Sequence, residues 1–237
     1  MIKKLMPLPV KNLVRRVLAF VYWDPFSNRS WSQEGEDQIL RRIFEKKPTG
    51  FYIDVGAHHP RRFSNTYLFY IQGWRGLNID AMPGSMISFH KDRPRDINIE
   101  VGIGLSECQL DYFVFNEPAL NGFSKELSDE RHDPDSLYQI NKIIKVNVLP
   151  LSAVLDTNLP VGQSIDFMSV DVEGLDYEVL KSNDWTKYRP KFVLAEVLGS
   201  SLHVIENSSV GRLMTEVGYE IYAKCVNTVF FKASDHK

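Results

Sequence analysis

Two short apolar runs, each closing on an acid, limit what this chain can fold into. The first, Phe51-Tyr52-Ile53, ends at Asp54 and is followed by the small-residue turn Gly56-Ala57; the second, Gly76–Asp80, ends at Asp80 before Pro83-Gly84. Runs this short, apolar on both faces and bounded by turn residues, read as buried central strands. The two acids stand 26 positions apart (80 − 54), the length of one strand–helix–strand unit, so the strands are expected to be parallel. In an open α/β sheet, ligands bind just outside the carboxyl ends of the strands. A glycine turn there lets a ligand approach the backbone, and an acid ending the next strand accepts hydrogen bonds from ribose hydroxyls. The complete G-x-G-x-x-G is absent, so a pyrophosphate has no cradle. That disfavours a dinucleotide and favours a smaller cationic or zwitterionic nucleoside cofactor. The plainer alternative is that Asp54 and Asp80 only cap helices.

The rest of the chain continues the alternation. A helix is expected over 32–47, with Ser32 as cap and Ile39, Leu40, Ile43 and Phe44 as its apolar stripe. Further helices are expected over Asn65–Gln72, Ser85–Lys91, Leu151–Leu155 and Leu175–Lys181, and strands over Ile97–Val101, Ile165–Val170 and Lys191–Val197. Region 109–150 breaks the pattern as an insertion. In it Leu110–Phe115 alternates like an antiparallel or edge strand, Ile143–Leu149 is another strand, and polar 116–141 reads as a lid or a disordered loop. Around that loop, Phe113, Phe115, Phe123 and Tyr138 are candidates to stack on a sugar ring, with core packing favoured for the first two. Tyr219–Cys225 and Thr228–Lys232, separated by Val226-Asn227, read as a terminal β-hairpin. The expected organisation is a helical extension over 1–49 packed on one α/β domain over 50–237.

Composition excludes several classes. With 43% hydrophobic and 24% charged residues the chain is ordinary for a globular enzyme, and a net charge of −2 gives no basic field for nucleic acid. Its two cysteines, Cys108 and Cys225, lack metal-ligand spacing and fit a reducing compartment, hence a cytoplasmic protein. The sequons at Asn28 and Asn207 carry no weight without a secretory signal. Residues 1–23 hold Lys3, Lys4, Lys11, Arg15 and Arg16 without an acid, interleaved with apolar residues. Such a helix either lies on an anionic membrane surface or packs on the domain with a solvated basic face; the frequency of ordinary surface helices favours the second.

The motifs YIDVGAHHP, SNTYLFYIQGWRGLNID (64–80) and IDFMSVDVEGLDYEVLKSNDW (165–185) together resemble the FkbM family of S-adenosylmethionine-dependent methyltransferases over roughly Gly50–Val197. The resemblance implies a Rossmann-like class I methyltransferase: a mostly parallel seven-stranded sheet with an antiparallel C-terminal hairpin strand. It implies S-adenosyl-L-methionine as cofactor and methyl transfer to oxygen, most often on a sugar or natural-product hydroxyl of a small molecule or glycan. Matched to the family's pattern, Asp54, Gly56 and Ala57 form the first cofactor loop. Asp80 is the ribose acid with Ala81 beside it, and Gly102 and Ile103 fall where the adenine is usually lined. Ser64, Asn65 and Thr66 open the following helix, where amides and hydroxyls can receive the methionine carboxylate. Asp171 and Glu173 match the D-x-E-G motif beside the expected methyl position.

Transfer from a sulfonium to a hydroxyl needs the acceptor oxygen held in line and relieved of its proton. Asp171 and Glu173 are candidate bases, as are His58 and His59 if Asp171 instead orients the cofactor's amino group. Arg61 and Arg62 are placed to bind phosphates of a nucleotide-linked sugar; Glu196 and His203 flank the next strand end and can face the acceptor. A metal bound by these acids and histidines is not expected, since no local ligand pairing exists. The rival readings are a catalytically silent adaptor of the same fold, and another nucleotide-dependent enzyme such as a dehydrogenase.

Overall fold

In the computed structural model the described residues are 27–132, 137–198 and 201–235. Residues 31–237 form one compact unit; of the other, Met1–Ser30, only 27–30 are described. The basic helix expected over 1–23 lies outside the described residues. Among those described, no helix is long and apolar enough to cross a membrane.

Parallel strands β1 (Phe51–Val55), β2 (Arg75–Asp80), β3 (Ile97–Glu100), β7 (Phe167–Val170) and β8 (Phe192–Glu196) pair with the antiparallel hairpin β9 (Tyr219–Cys225) and β10 (Thr228–Ala233). The sheet order is β3-β2-β1-β7-β8-β10-β9. The chain thus begins in the middle, builds to one edge, returns beside its starting strand and builds to the other. The expected seven-stranded fold with a reversed terminal strand is therefore present. Its reversal of direction falls between β1 and β7, which opens a crevice at their carboxyl ends.

Continuous apolar runs form these strands because both faces are covered. Ile53, Val55, Met168, Val170, Val193 and Ala195 face one way, against α5 (Leu151–Asn158), α6 (Asp176–Lys181) and α8 (Ser209–Glu216); α7 (Leu202–Asn207) adds Ile205. Tyr52, Phe167, Phe192, Leu194 and Phe230 face the other, against Leu40 of α1 (Glu36–Ile43) and Leu68–Tyr70 of α2 (Tyr67–Ile71). There Phe44 meets the rings of Phe69, Trp74, Phe167 and Phe192 at centroid distances of 6.3, 5.3, 5.9 and 5.6 Å. Ser32 is not the cap of α1. That place belongs to Gly35 at φ 93°, while Ser32 Oγ accepts the Asp37 N–H two residues into the helix.

In the region from 109 to 150 the strands expected over Leu110–Phe115 and Ile143–Leu149 are present, whereas 116–141, expected as a lid or disordered loop, holds short helical elements among its described residues. Strand β5 (Cys108–Phe115) pairs antiparallel with β6 (Ile140–Leu149), and β4 (Gly102–Ile103) completes a second, three-stranded sheet. Between β5 and β6 stand a 3₁₀ turn at Pro118–Leu120 and helix α4 (Lys125–Arg131). Their caps were legible in polar residues taken for loop: Glu117 accepts the Ala119 N–H, and Ser124 accepts that of Leu127.

A buried arginine ties the loop after β1 to the sheet. Arg93, just past α3 (Met86–Asp92), is fully buried. Its guanidinium donates to Pro60 O (2.8 Å), Ser64 Oγ (2.6 Å), Thr66 Oγ1 (2.7 Å) and Asn78 Oδ1 (3.1 Å). Thr66 Oγ1 in turn donates to Asp54 Oδ2 at 2.6 Å. Lysine has neither the planar fork nor enough donors to replace this set. Arg93→Lys should cost at least about 2 kcal/mol, because buried acceptors lose their partners, and lower the melting temperature by roughly 4–8 °C. An unchanged melting curve would show that the network does not hold the loop.

Candidate active site

The crevice between β1 and β7 opens into a cleft of about 430 Å³, within the range of small-molecule sites. Its floor depends on one close approach. Gly56 sits at φ 81°, and a Cβ there would stand 1.7 Å from the Asp171 carbonyl oxygen. Only glycine lets the β1 and β7 turns touch. Its place in the motif therefore answers first to the Asp171 backbone.

Of the residues expected in the site, Gly56, His58, His59, Asp80, Ala81, Ile103, Asp171 and Glu173 line the cleft. Asp80 is anchored by its neighbours: Oδ2 accepts the His58 N–H and Oδ1 that of Met82, both at 2.8 Å. Burial raises its pKa, against these hydrogen bonds. Each carboxylate oxygen keeps acceptor capacity for a hydroxyl. His58 adopts φ 51° with its Nε2 buried and unpartnered. Burial, then the nearby Arg62 and His59, lower its pKa to about 4, so it is neutral across the physiological range. His59 Nδ1 accepts the N–H groups of Arg61 and Arg62, both at 3.0 Å, which leaves Nε2 to carry the proton.

Other expected residues stand elsewhere. Asp54 points to the opposite face of β1 from Ile53 and Val55, into the Thr66–Arg93 network. Ser64 and Thr66 are committed to Arg93, and Asn65 Nδ2 donates to Ser169 Oγ at 3.0 Å. These three are buried and do not line the cleft, although the resemblance assigns them to the methionine carboxylate. Ala57 packs on Met86 and Phe89, and a Cβ on Gly102 would meet Phe123 at 2.7 Å. Arg61 pairs with Asp92 at 3.0 Å outside the cleft, whereas Arg62 lines it and pairs with Glu117 at 2.9 Å. His203 is exposed on α7, and Glu196 is half-buried behind the floor.

Residues of the second sheet and of the connection between β5 and β6 complete the opposite wall. Tyr112, Val114, Phe115, Asn121 and Phe123 line the cleft, whereas Phe113 and Tyr138 do not. The Tyr112 and Phe123 rings meet edge-on at 4.8 Å, and the charges of Asp80 and Glu173 add to burial in raising the Tyr112 pKa. Period two along Leu110–Phe115 already put Tyr112 and Val114 on one face; nothing in the sequence showed that this face turns to the sheet.

The floor is strongly acidic. Asp171 lines the cleft and is exposed there; the dense protein around its carboxyl, and then the charges of Asp176, Glu196 and Glu173, raise its pKa above the ordinary carboxyl range. Burial and the Glu173 charge push Glu196 up to about 7. Glu173, at φ 56°, is held by Arg131 at 2.7 Å. Among the described residues no group of three or more His, Cys, Asp or Glu side chains can hold a metal ion. The arrangement suits an organic cation lying against carboxylates.

Asp176 is buried with Oδ1 unpartnered, and desolvation followed by Glu196 pushes its pKa up to about 8. In the unfolded chain it ionises near ~3.9. The folded state therefore binds the extra proton, and this contribution to stability fades as pH rises from about 4 toward about 8. The wild-type melting temperature should fall between about pH 5 and about pH 8 by at least ~3 °C more than that of Asp176→Asn. Parallel slopes would contradict the assignment.

Residues 54–221 match the methyltransferase FkbM domain. No curated protein matches the chain. Among solved structures, a TehB-like SAM-dependent methyltransferase from Corynebacterium glutamicum aligns over 95% of this chain and 97% of its own, at 12% identity and a TM-score of 0.39.

Proposed function

The chain belongs to the FkbM methyltransferase family, and on that premise we propose that it methylates a hydroxyl of a sugar, carried by a glycan or a nucleotide-linked precursor. S-adenosylmethionine is the methyl donor of the family and, when bound, supplies a methyl group on a positively charged sulfonium. The cleft suits it. Asp80 has acceptor capacity for ribose hydroxyls, Val101, Ile103 and Phe123 offer apolar surface for a flat base, and the acidic floor matches a cation.

The reading of oxygen as acceptor rests on Asp171, a carboxyl of raised pKa that opens onto the cleft. A hydroxyl must lose its proton as its oxygen gains the methyl group, and a raised pKa makes a carboxylate a better proton acceptor. Glu173 is less free for this task because Arg131 holds it. His58, with its pKa near 4, is a weak base. Around the acceptor, the Arg62–Glu117 pair offers donors and acceptors for sugar hydroxyls, and Phe115 offers a ring face. A sugar presents both kinds of surface.

The base must be ionised to work, so kcat/KM should rise with pH through the titration of Asp171. Asp171→Asn should lose at least ~100-fold in kcat and the acid limb of the profile, while still binding cofactor. Mass spectrometry and NMR of the product from a panel of glycosides and nucleotide sugars should find a methyl ether. A methyl group on nitrogen or carbon, or an Asp171→Asn variant of near-normal rate, would overturn the proposal.

A further inference from the structure

At the opposite end of the sheet, where the parallel strands begin, lies a second cavity of about 370 Å³. Its lining among the described residues includes four cations, Arg42, Lys47, Lys191 and Lys232, and no acid. In a chain of net charge −2, that concentration of one sign needs a reason. The sheet supplies the placement. Lys47 precedes β1, Lys191 precedes β8, and Lys232 lies near the end of the antiparallel β10, directly across from Phe192. All three therefore collect at one end, away from the strand ends that carry Asp80 and Asp171.

The lysines are built in rather than loosely solvated. The Asp166 side chain is almost fully buried, and its Oδ1 accepts from both Lys47 Nζ and Lys191 Nζ, the latter at 2.9 Å. Its Oδ2 is taken by the Phe51 N–H at 3.0 Å. Lys47 Nζ also lies 5.8 Å from the centroid of the Trp74 ring. One carboxylate thus fixes two ammonium groups about a third exposed, and the hub keeps a net positive charge. Lys232, half-buried, has no ion-pair partner among the described residues. Arg42 stands at the rim in a highly exposed pair with Glu45, a contact readily exchanged for a stronger one. Beside these cations the exposed Tyr222 packs edge-on against Phe192 at 5.3 Å, giving the cavity an apolar wall.

We propose that this cavity binds the phosphate group of a molecule whose apolar or planar part rests on Tyr222. Fixed ammonium groups with spare donors, short of counter-charge, match a phosphate's oxygens and charge. The phosphate can belong to a soluble metabolite or to the head group of an anionic lipid. The site is separate from the methyl-transfer cleft and does not depend on the acceptor assigned above.

Calorimetric titration of the full chain with inorganic phosphate, at constant ionic strength, tests the soluble form. Cosedimentation with phosphatidylcholine vesicles, with and without phosphatidic acid, tests the lipid form. Saturable binding in either arm is expected, weakened about ten-fold by Lys232→Gln and little changed by Arg62→Gln in the other cleft. Lys191→Ala should weaken it similarly, which guards against one variant that misfolds. Binding in the phosphate arm alone assigns a metabolite, and binding in the vesicle arm alone assigns a lipid. No binding in either arm, or binding lost with Arg62→Gln but kept with Lys232→Gln, would overturn the proposal.

Discussion

The site depends on a buried guanidinium that does not itself line the cleft. Arg93 collects the Pro60 carbonyl, the Ser64 and Thr66 hydroxyls and the Asn78 amide oxygen, and reaches Asp54 through Thr66. Without it the Pro60 carbonyl and the Asn78 amide oxygen would lose their partner in a low-dielectric interior. The consequence is mechanical. The loop that leaves β1 carries His58, His59 and Arg62 into the cleft, and this network fixes its course. The left-handed backbone at His58 and Phe63 is the kind of strain that survives only when neighbouring contacts over-determine it.

The second constraint is electrostatic. Asp171, Asp176 and Glu196 stand near the ends of β7 and β8, and desolvation together with the charges of neighbouring carboxylates, Glu173 among them, raises all three pKa values. Acids gathered this way weigh against stability at neutral pH, a cost that a binding site tolerates when its ligand brings the missing charge. A sulfonium cofactor does so. The acids thus support both the choice of cofactor and the readiness of Asp171 to accept a proton.

The order of the central elements was legible because covered parallel strands write themselves as short apolar runs between glycine and proline turns. The acids at Asp54, Asp80, Asp171 and Glu196 marked their carboxyl ends correctly. What each acid does was less legible. Period two turns Asp54 under the sheet, and only the partner on that face, Arg93, shows it to be a support. Arg93 itself looked like any charged residue at a helix end, since sequence does not show that three aromatic rings, those of Tyr67, Tyr70 and Phe89, enclose it. The wall built by Tyr112 and Phe123 was hidden for a related reason. Tyr112 stands on a second sheet, with Phe123 in the connection between its two long strands, and the pairing of that sheet joins residues about 40 positions apart, as in Cys108 with Val148; local patterns do not report such long-range register.

The central claim is that the crevice between β1 and β7 holds S-adenosylmethionine, with Asp80 gripping the ribose. Calorimetric titration of the wild-type chain and of Asp80→Ala tests it most directly. One molecule should bind per chain, with affinity at least about ten-fold weaker in the variant, since a charged hydrogen-bond acceptor is lost. No binding to the folded wild type, or equal affinities in the two proteins, would contradict the account.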